Sequence, residues 1–286
     1  MRAMRRILGL LMALPVLLIG GCSPSKLVNG LTPRGDFRLV ANRAYGDEAR
    51  QMLDIYQPLA TDGAKPVVVF FYGGNWDSGS KDDYLFLGQA LAARGFVVVV
   101  PDYRLYPQVR YPAFVADAAA ATRWTLAHIG AYGGDPARIS IMGHSAGAYI
   151  ALMLALDGKY LGDARSRIKS VVGLAGPYDF LPLTDPTLQT IFGTASDLAT
   201  TQPITYADGT APPVLLATGR LDNTVYPRNT TLLAASIRAK GGKVETEYYA
   251  LLGHITLIGS FAEPLRLITP VLGDVVRFLK ATDAAS

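Results

Sequence analysis

Residues 138–150 read RISIMGHSAGAYI. Within them Gly143-His144-Ser145-Ala146-Gly147 has the pattern G-x-S-x-G, with an apolar run before it and a helix-like stretch after it. That context fits a sharp strand-to-helix turn presenting a serine hydroxyl. The logic is steric: the serine sits in strained backbone, and Gly143 and Gly147 leave the space for the chain to fold back. The N–H of Ala146, opening the helix, then faces developing negative charge. A serine hydroxyl needs a base to attack at neutral pH. The chain has three histidines. His144 adjoins Ser145, and adjacent residues on such a turn point different ways. His128 precedes the turn. His254, in Leu252-Gly253-His254-Ile255, follows the last apolar run, and Gly253 lets its loop bend. Along the chain such a turn is followed by an acid and then the base. Asp222 lies 77 residues after Ser145 and 32 before His254. Asp179, after the preceding apolar run, is the rival; it could equally cap a helix. The acid would hold the imidazole tautomer without itself taking the proton.

The elements that must position these groups are apolar runs alternating with helical patterns. Strands are predicted at Val67–Tyr72, Phe96–Val100, Ile139–Gly143, Val171–Ala175, Val214–Thr218 and Val244–Leu251. Unbroken Val, Ile and Phe runs suggest strands buried on both faces, as in parallel sheets. Helices are predicted at Ala113–Ala127, Ala146–Leu156, Pro227–Lys240 and Thr269–Ala281. Earlier segments at Phe37–Ala41 and Gln51–Gln57 are read as antiparallel strands. The alternation argues for a doubly wound α/β sheet. Residues 181–213 lack strong periodicity, and a stretch that long suggests a small lid.

After the first buried run comes Tyr72-Gly73-Gly74-Asn75-Trp76. Two glycines there free backbone N–H groups to approach a substrate oxygen. Together with Leu53-Asp54-Ile55-Tyr56-Gln57-Pro58, Asp102-Tyr103-Arg104-Leu105, Gly133-Gly134-Asp135-Pro136 and the GHSAG turn, the chain resembles the α/β-hydrolase family. It looks most like the carboxylesterase branch around hormone-sensitive-lipase-like and feruloyl/acetylxylan esterase-like enzymes. The resemblance covers about residues 37–280. It implies an α/β-hydrolase fold, with a mostly parallel sheet flanked by helices. It implies Ser145 as nucleophile, Asp222 as acid, His254 as base, and the N–H groups of Gly74, Asn75 and Ala146 as oxyanion donors. Trp76 would wall the pocket or serve as a core tryptophan. The family's loop normally begins with His where Tyr72 stands here; a tyrosine hydroxyl is a substitute brace. The activity implied is ester hydrolysis through an acyl-enzyme. Two alternatives stay open. One is an amidase or peptidase, since kynurenine formamidase-like and prolyl-peptidase-like relatives use the same triad. The other is a non-catalytic, membrane-tethered binding protein on the same fold.

Composition narrows the rest. The 286 residues are 50% hydrophobic and 17% charged, which excludes disorder. A single cysteine excludes an intramolecular disulfide framework and a Cys-cluster zinc site. No metal-ligand spacing or phosphate-cradling loop occurs, so no metal and no cofactor are implied. Residues 1–22 read MRAMRRILGLLMALPVLLIGGC, a basic start, a short apolar run and a small-residue end. This is the layout of a signal peptide. Ile19-Gly20-Gly21-Cys22 resembles the bacterial lipoprotein box, which implies lipidation of Cys22. The expected organisation is a signal peptide at 1–21, a flexible tether at 22–36 and the hydrolase domain at 37–286, with its lid at 181–213. The expected location is the bacterial cell envelope. By the same resemblance, Ser23 after Cys22 favours the outer membrane in a diderm. Without residues 1–21 the chain has 24 basic and 23 acidic residues. Such a near-neutral body has no electrostatic footprint for nucleic acid.

Overall fold

The computed structural model describes residues 24–60, 62–263 and 265–284. The expected signal peptide and Cys22 lie outside them. Eight strands form one sheet: β1 (Phe37–Ala44), β2 (Met52–Pro58), β3 (Lys65–Phe71), β4 (Val97–Pro101), β5 (Gly134–His144), β6 (Ile168–Leu174), β7 (Val214–Gly219) and β8 (Val244–Tyr249). Their spatial order is β1-β2-β4-β3-β5-β6-β7-β8. The pairs β1–β2 and β2–β4 are antiparallel, and every later pair is parallel. This is the α/β-hydrolase fold. Every residue of β4 and β7 is buried, as the unbroken apolar runs require. The edge strand β8 is mostly half-buried.

The helices are α1 (Pro24–Leu31), α2 (Leu85–Ala92), α3 (Ala113–His128), α4 (Ala146–Leu156), α5 (Gly158–Leu161), α6 (Pro186–Phe192), α7 (Arg228–Ala239), α8 (His254–Gly259) and α9 (Val271–Ala284). α3 and α4 pack on each other and on β3 and β5, α2 lies on β2 and β4, and α9 lies on β6. α4 is buried along its whole length. It is the central helix behind the serine turn, and its sequence AGAYIALMLAL carries almost no polar group to expose.

Three differences from the sequence reading have physical causes. The stretch expected as a flexible tether is folded over residues 24–31. Ser25 Oγ donates to Asp83 Oδ1 (2.6 Å), Asn29 Nδ2 donates to the Asp82 carbonyl (2.8 Å), and Val28 packs on the core. The helix α2 was not foreseen: all eight of its residues are buried, so it has no amphipathic period to read. The segment 181–213 holds α6 and two 3₁₀ turns. It is fastened to the body: Ile191 and Phe192 enter the core, and Tyr149 Oη donates to the Thr201 carbonyl (2.8 Å).

Because strands β3 and β5 to β8 run parallel, their carboxyl ends share one edge. β5 delivers Ser145 there, the loop after β7 delivers Asp222, and the turn after β8 delivers His254. Ligand crevices of open α/β sheets form along that edge.

Candidate active site

Ser145 follows β5 with φ 55° and ψ −123°. A residue with a Cβ rarely adopts such backbone, and it persists only where the surroundings hold it. Here the Ser145 N–H donates to the Leu174 carbonyl at 2.9 Å. The two glycines are steric necessities. A Cβ on Gly147 would lie 2.0 Å from the Phe71 carbonyl oxygen, and one on Gly143 would lie 2.1 Å from the Gly147 carbonyl oxygen.

The Ser145 hydroxyl stands 2.9 Å from His254 Nε2, and His254 Nδ1 stands 2.8 Å from Asp222 Oδ2. A carboxylate only accepts, so Nδ1 carries the proton and Nε2 is left to accept from the serine hydroxyl. His254 and Asp222 are both buried. Burial pushes the Asp222 carboxyl up, but the bond from His254 and the backbone N–H groups of Val225 and Thr224 outweigh it, and the net direction is down. Asp222 is therefore a charged anchor at neutral pH. Its other oxygen accepts from Thr224 N (2.9 Å) and Val225 N (2.8 Å), which fixes the carboxylate plane.

The rival acid is elsewhere. Asp179 lines the cavity and faces the exposed Arg228 at 3.8 Å, and no helix starts on it. His128 sits exposed at the end of α3, stacked on Trp124. His144 is the surprise. Its ring lies 4.8 Å from that of His254, and its Nε2 lies 3.2 Å from the His254 carbonyl oxygen. That oxygen can only accept, so His144 carries its proton on Nε2, and its buried Nδ1 has no partner. Burial, then the neighbouring His254, push its pKa down to about 3. His144 is not the base, and it instead ties the serine turn to the histidine turn.

Asn75, Ala146 and Ser145 line one cavity of about 390 Å³, together with Trp76, Phe180, Leu181, Thr184 and Leu188. Gly74 is not in that lining; at φ +129° it makes the tight turn whose carbonyl accepts from Asp77 N and Ser78 N. The neighbours Asn75 (φ 54°) and Trp76 (φ 62°) are also left-handed, and the loop passes close to the serine, where a Cβ on Gly73 would lie 2.9 Å from Ser145 Cβ. Trp76 fills both roles left open by the sequence. It walls the cavity and packs edge-on against Tyr149 and Phe192.

Tyr72 does brace this loop, through groups the sequence did not reveal. Its hydroxyl donates to Asp102 Oδ1 (2.6 Å) and accepts from Arg50 Nη2 (2.7 Å). Burial, foremost, raises the hydroxyl's pKa, so it stays protonated and able to donate. Arg50 also donates to the Gly79 carbonyl (2.9 Å), and Asp102 Oδ1 accepts from Lys81 N (2.8 Å). Asp102 stood in a motif without a role of its own, and Arg50 carried no signal at all. Among the described residues no cluster of His, Cys, Asp or Glu could hold a metal.

The BD-FAE family model matches residues 53–237, a span that includes Ser145 and Asp222. The chain belongs to the BD-FAE family. Among curated relatives, the isoprenylcysteine alpha-carbonyl methylesterase of Arabidopsis thaliana is 34% identical over 246 residues, covering 78% of this chain and 57% of the relative. A probable carboxylic ester hydrolase of Mycobacterium tuberculosis is 32% identical over 213 residues, covering 66% of this chain and 49% of the relative. The chain thus spans about half the length of the curated relatives it matches. Among solved structures, a truncated carbohydrate esterase from gut microbiota superposes with a TM-score of 0.76 at 20% identity, covering 88% of this chain and 99% of that one. Esterase 2 of Thermogutta terrifontis gives 0.71 at 23% identity, covering 87% and 96%. For this BD-FAE member, these superpositions bear on the fold alone.

Proposed function

We propose that this protein is a serine carboxylesterase, and that it works through an acyl-enzyme. The observation that carries the reading is the unbroken relay from Asp222 through His254 to the Ser145 hydroxyl, with contacts of 2.8 and 2.9 Å. The esterase names of its relatives support the bond class. Ser145 Oγ attacks the ester carbonyl carbon while His254 Nε2 takes its proton. The carbonyl oxygen becomes an oxyanion facing the amides of Asn75 and Ala146, with Gly74 shaping the loop that presents them. His254 returns the proton to the leaving alkoxide, and the alcohol departs. Water then attacks the acyl-serine, giving its proton to His254, and the carboxylic acid leaves as Ser145 is reprotonated. Asp222 stabilises the imidazolium in both halves. In Ser145→Ala, turnover of a p-nitrophenyl ester should drop at least about a thousandfold with an unchanged circular dichroism spectrum. Turnover surviving in that folded variant would defeat the assignment.

The lipoprotein-like start supports a second element of the reading: Cys22 is acylated and holds the enzyme on the bacterial envelope. Labelled palmitate should enter the full chain in its host and be lost in Cys22→Ser; equal labelling of both would end this part.

A further inference from the structure

On the serine-esterase reading, which this inference takes as its base, the relay and the cavity divide the space around an ester. The cavity is lined by Ser145, Asn75 and Ala146 but not by His254. In the tetrahedral species the oxyanion faces the Asn75 and Ala146 amides. The leaving oxygen must lie within hydrogen-bond reach of His254 Nε2 to receive its proton. The acyl chain takes the direction left over, into the cavity. The alcohol therefore extends on the His254 side, outside the cavity.

The turns that carry Asp222 and His254 expose four large apolar side chains. Leu221, Tyr226, Leu251 and Ile255 are 62%, 62%, 84% and 69% exposed. Each lies within four residues of Asp222 or His254. Their loops are joined, since Leu221 N donates to the Leu252 carbonyl (3.0 Å) and Arg220 N to that of Tyr249 (2.8 Å). Single exposed leucines need no explanation, but a group around a reaction centre marks a contact site. Nothing in the relay requires these four to be apolar. Asp222 is fixed by backbone N–H groups, and His254 by Asp222 and His144. Tyr226 also lines the cavity, so it stands where the two halves of an ester would part.

We propose that Leu221, Leu251 and Ile255 form the subsite for the alcohol half of the substrate, and that the enzyme prefers esters whose alcohol carries an apolar chain of about four or more carbons. Contact along a half-open rim is worth about a twofold gain in kcat/KM per added methylene, less than full burial gives.

The test uses the full-length protein and dissolved esters, with acid release followed in a pH-stat. One series is methyl, butyl and hexyl acetate; the other is methyl acetate, butanoate and hexanoate. The expected hexyl-to-methyl acetate ratio of kcat/KM is about tenfold or more. In Leu251→Ser/Ile255→Ser that ratio should fall at least about fivefold, while the hexanoate-to-acetate ratio of the methyl esters holds. Ratios within one protein are insensitive to the fraction folded. An unchanged hexyl ratio in the variant overturns the proposal. A fall in the hexanoate ratio instead assigns the rim to the acyl chain and overturns it too. If the rim effect appears only once the ester exceeds its solubility, the face meets a lipid surface rather than one alcohol, and the proposal fails. Absence of turnover on every ester is a different failure, that of the serine-esterase reading itself.

Discussion

Two loops meet over Ser145; backbone crowding shapes both, but only the loop 72–79 adds a buried network of side chains. The turn 143–147 is held by exclusion: backbone crosses backbone so closely that no side chain fits at Gly143 or Gly147. The loop 72–79 is held by attraction as well, through a buried hydroxyl, a guanidinium and a carboxylate brought from Tyr72, Arg50 and Asp102. Exclusion is a local property and tolerates no compromise. Attraction is distributed over the chain and fails by degrees. The contrast predicts how each loop breaks.

The largest effect belongs to Gly147→Ala. Its new Cβ would meet the Phe71 carbonyl oxygen at 2.0 Å and that of Tyr72 at 2.5 Å, both backbone atoms of the neighbouring strand and the loop after it. Neither can rotate away. We expect a loss of about 3–5 kcal/mol in urea denaturation, or an insoluble product. Gly130→Ala is the control, since nothing lies within 4 Å of its added methyl, and its shift should stay within about 1 kcal/mol. Near-native stability in Gly147→Ala would remove the steric account of the turn.

The same distinction decides what the sequence could tell. The serine turn was legible because its cause lies within five consecutive residues and the runs flanking them. The sheet was legible because burial on both faces leaves unbroken apolar runs, as in Val67–Val69 and Val97–Val100. His254 was found because only three histidines compete. Resemblance favours Asp222, but local pattern alone leaves Asp179 a rival, because both follow parallel strands at the same edge. Only the approach of the β8 turn separates them, and that is a tertiary fact. Arg50 and Asp102 lie 52 residues apart and meet through Tyr72, so no local pattern announces them. The helix α1 was missed for a related reason. Its eight residues gain their stability from Asp82, Asp83 and α2, more than fifty positions away.

A middling effect is expected at the attractive loop. Tyr72→Phe keeps the ring stacked 4.8 Å from Tyr103 and removes the hydroxyl alone. Asp102 then loses a buried donor and Arg50 an acceptor. Both keep other partners, Asp102 the Lys81 amide and Arg50 the Gly79 carbonyl, so the loss is that of hydrogen bonds to charged groups, about 1.5–3 kcal/mol. Because Arg50 also holds Gly79, the loop carrying Asn75 should loosen, and kcat/KM should fall about tenfold. Steady-state kinetics beside a denaturation curve separates the two losses. A variant with full activity and full stability would mean that stacking, not the polar network, holds the loop.

The smallest effect lies where the loops touch. His144 belongs to the excluded turn, and a Cβ on Gly73 would come within 3.2 Å of its Nδ1. Its pKa is about 3 in the folded protein, against about 6.5 for an unperturbed imidazole. Between those values the unfolded chain binds a proton that the folded one refuses. Stability therefore rises with pH across that window, and falls by up to about 1.4 kcal/mol per unit as pH drops from about 6.5 toward 3. Asp222, with its pKa lowered, acts in the same direction, but only below the ordinary carboxylate range near 4. Burial pushes the Asp102 carboxyl up, which works the other way in parent and variant alike, so the difference between the parent and His144→Gln in urea midpoints from about pH 6.5 to 4.5 isolates the histidine. His144→Gln keeps an N–H for the His254 carbonyl and has no proton to take, so its stability should decline less steeply in that range than the parent's. Because His144 stays neutral there, the acid limb of log kcat/KM should fall with a slope of one in the parent, from a single group. A slope of two would show that His144 accepts a proton in place. The junction of the two loops would then be electrostatically soft, and exclusion would not be what holds the serine turn against its neighbour.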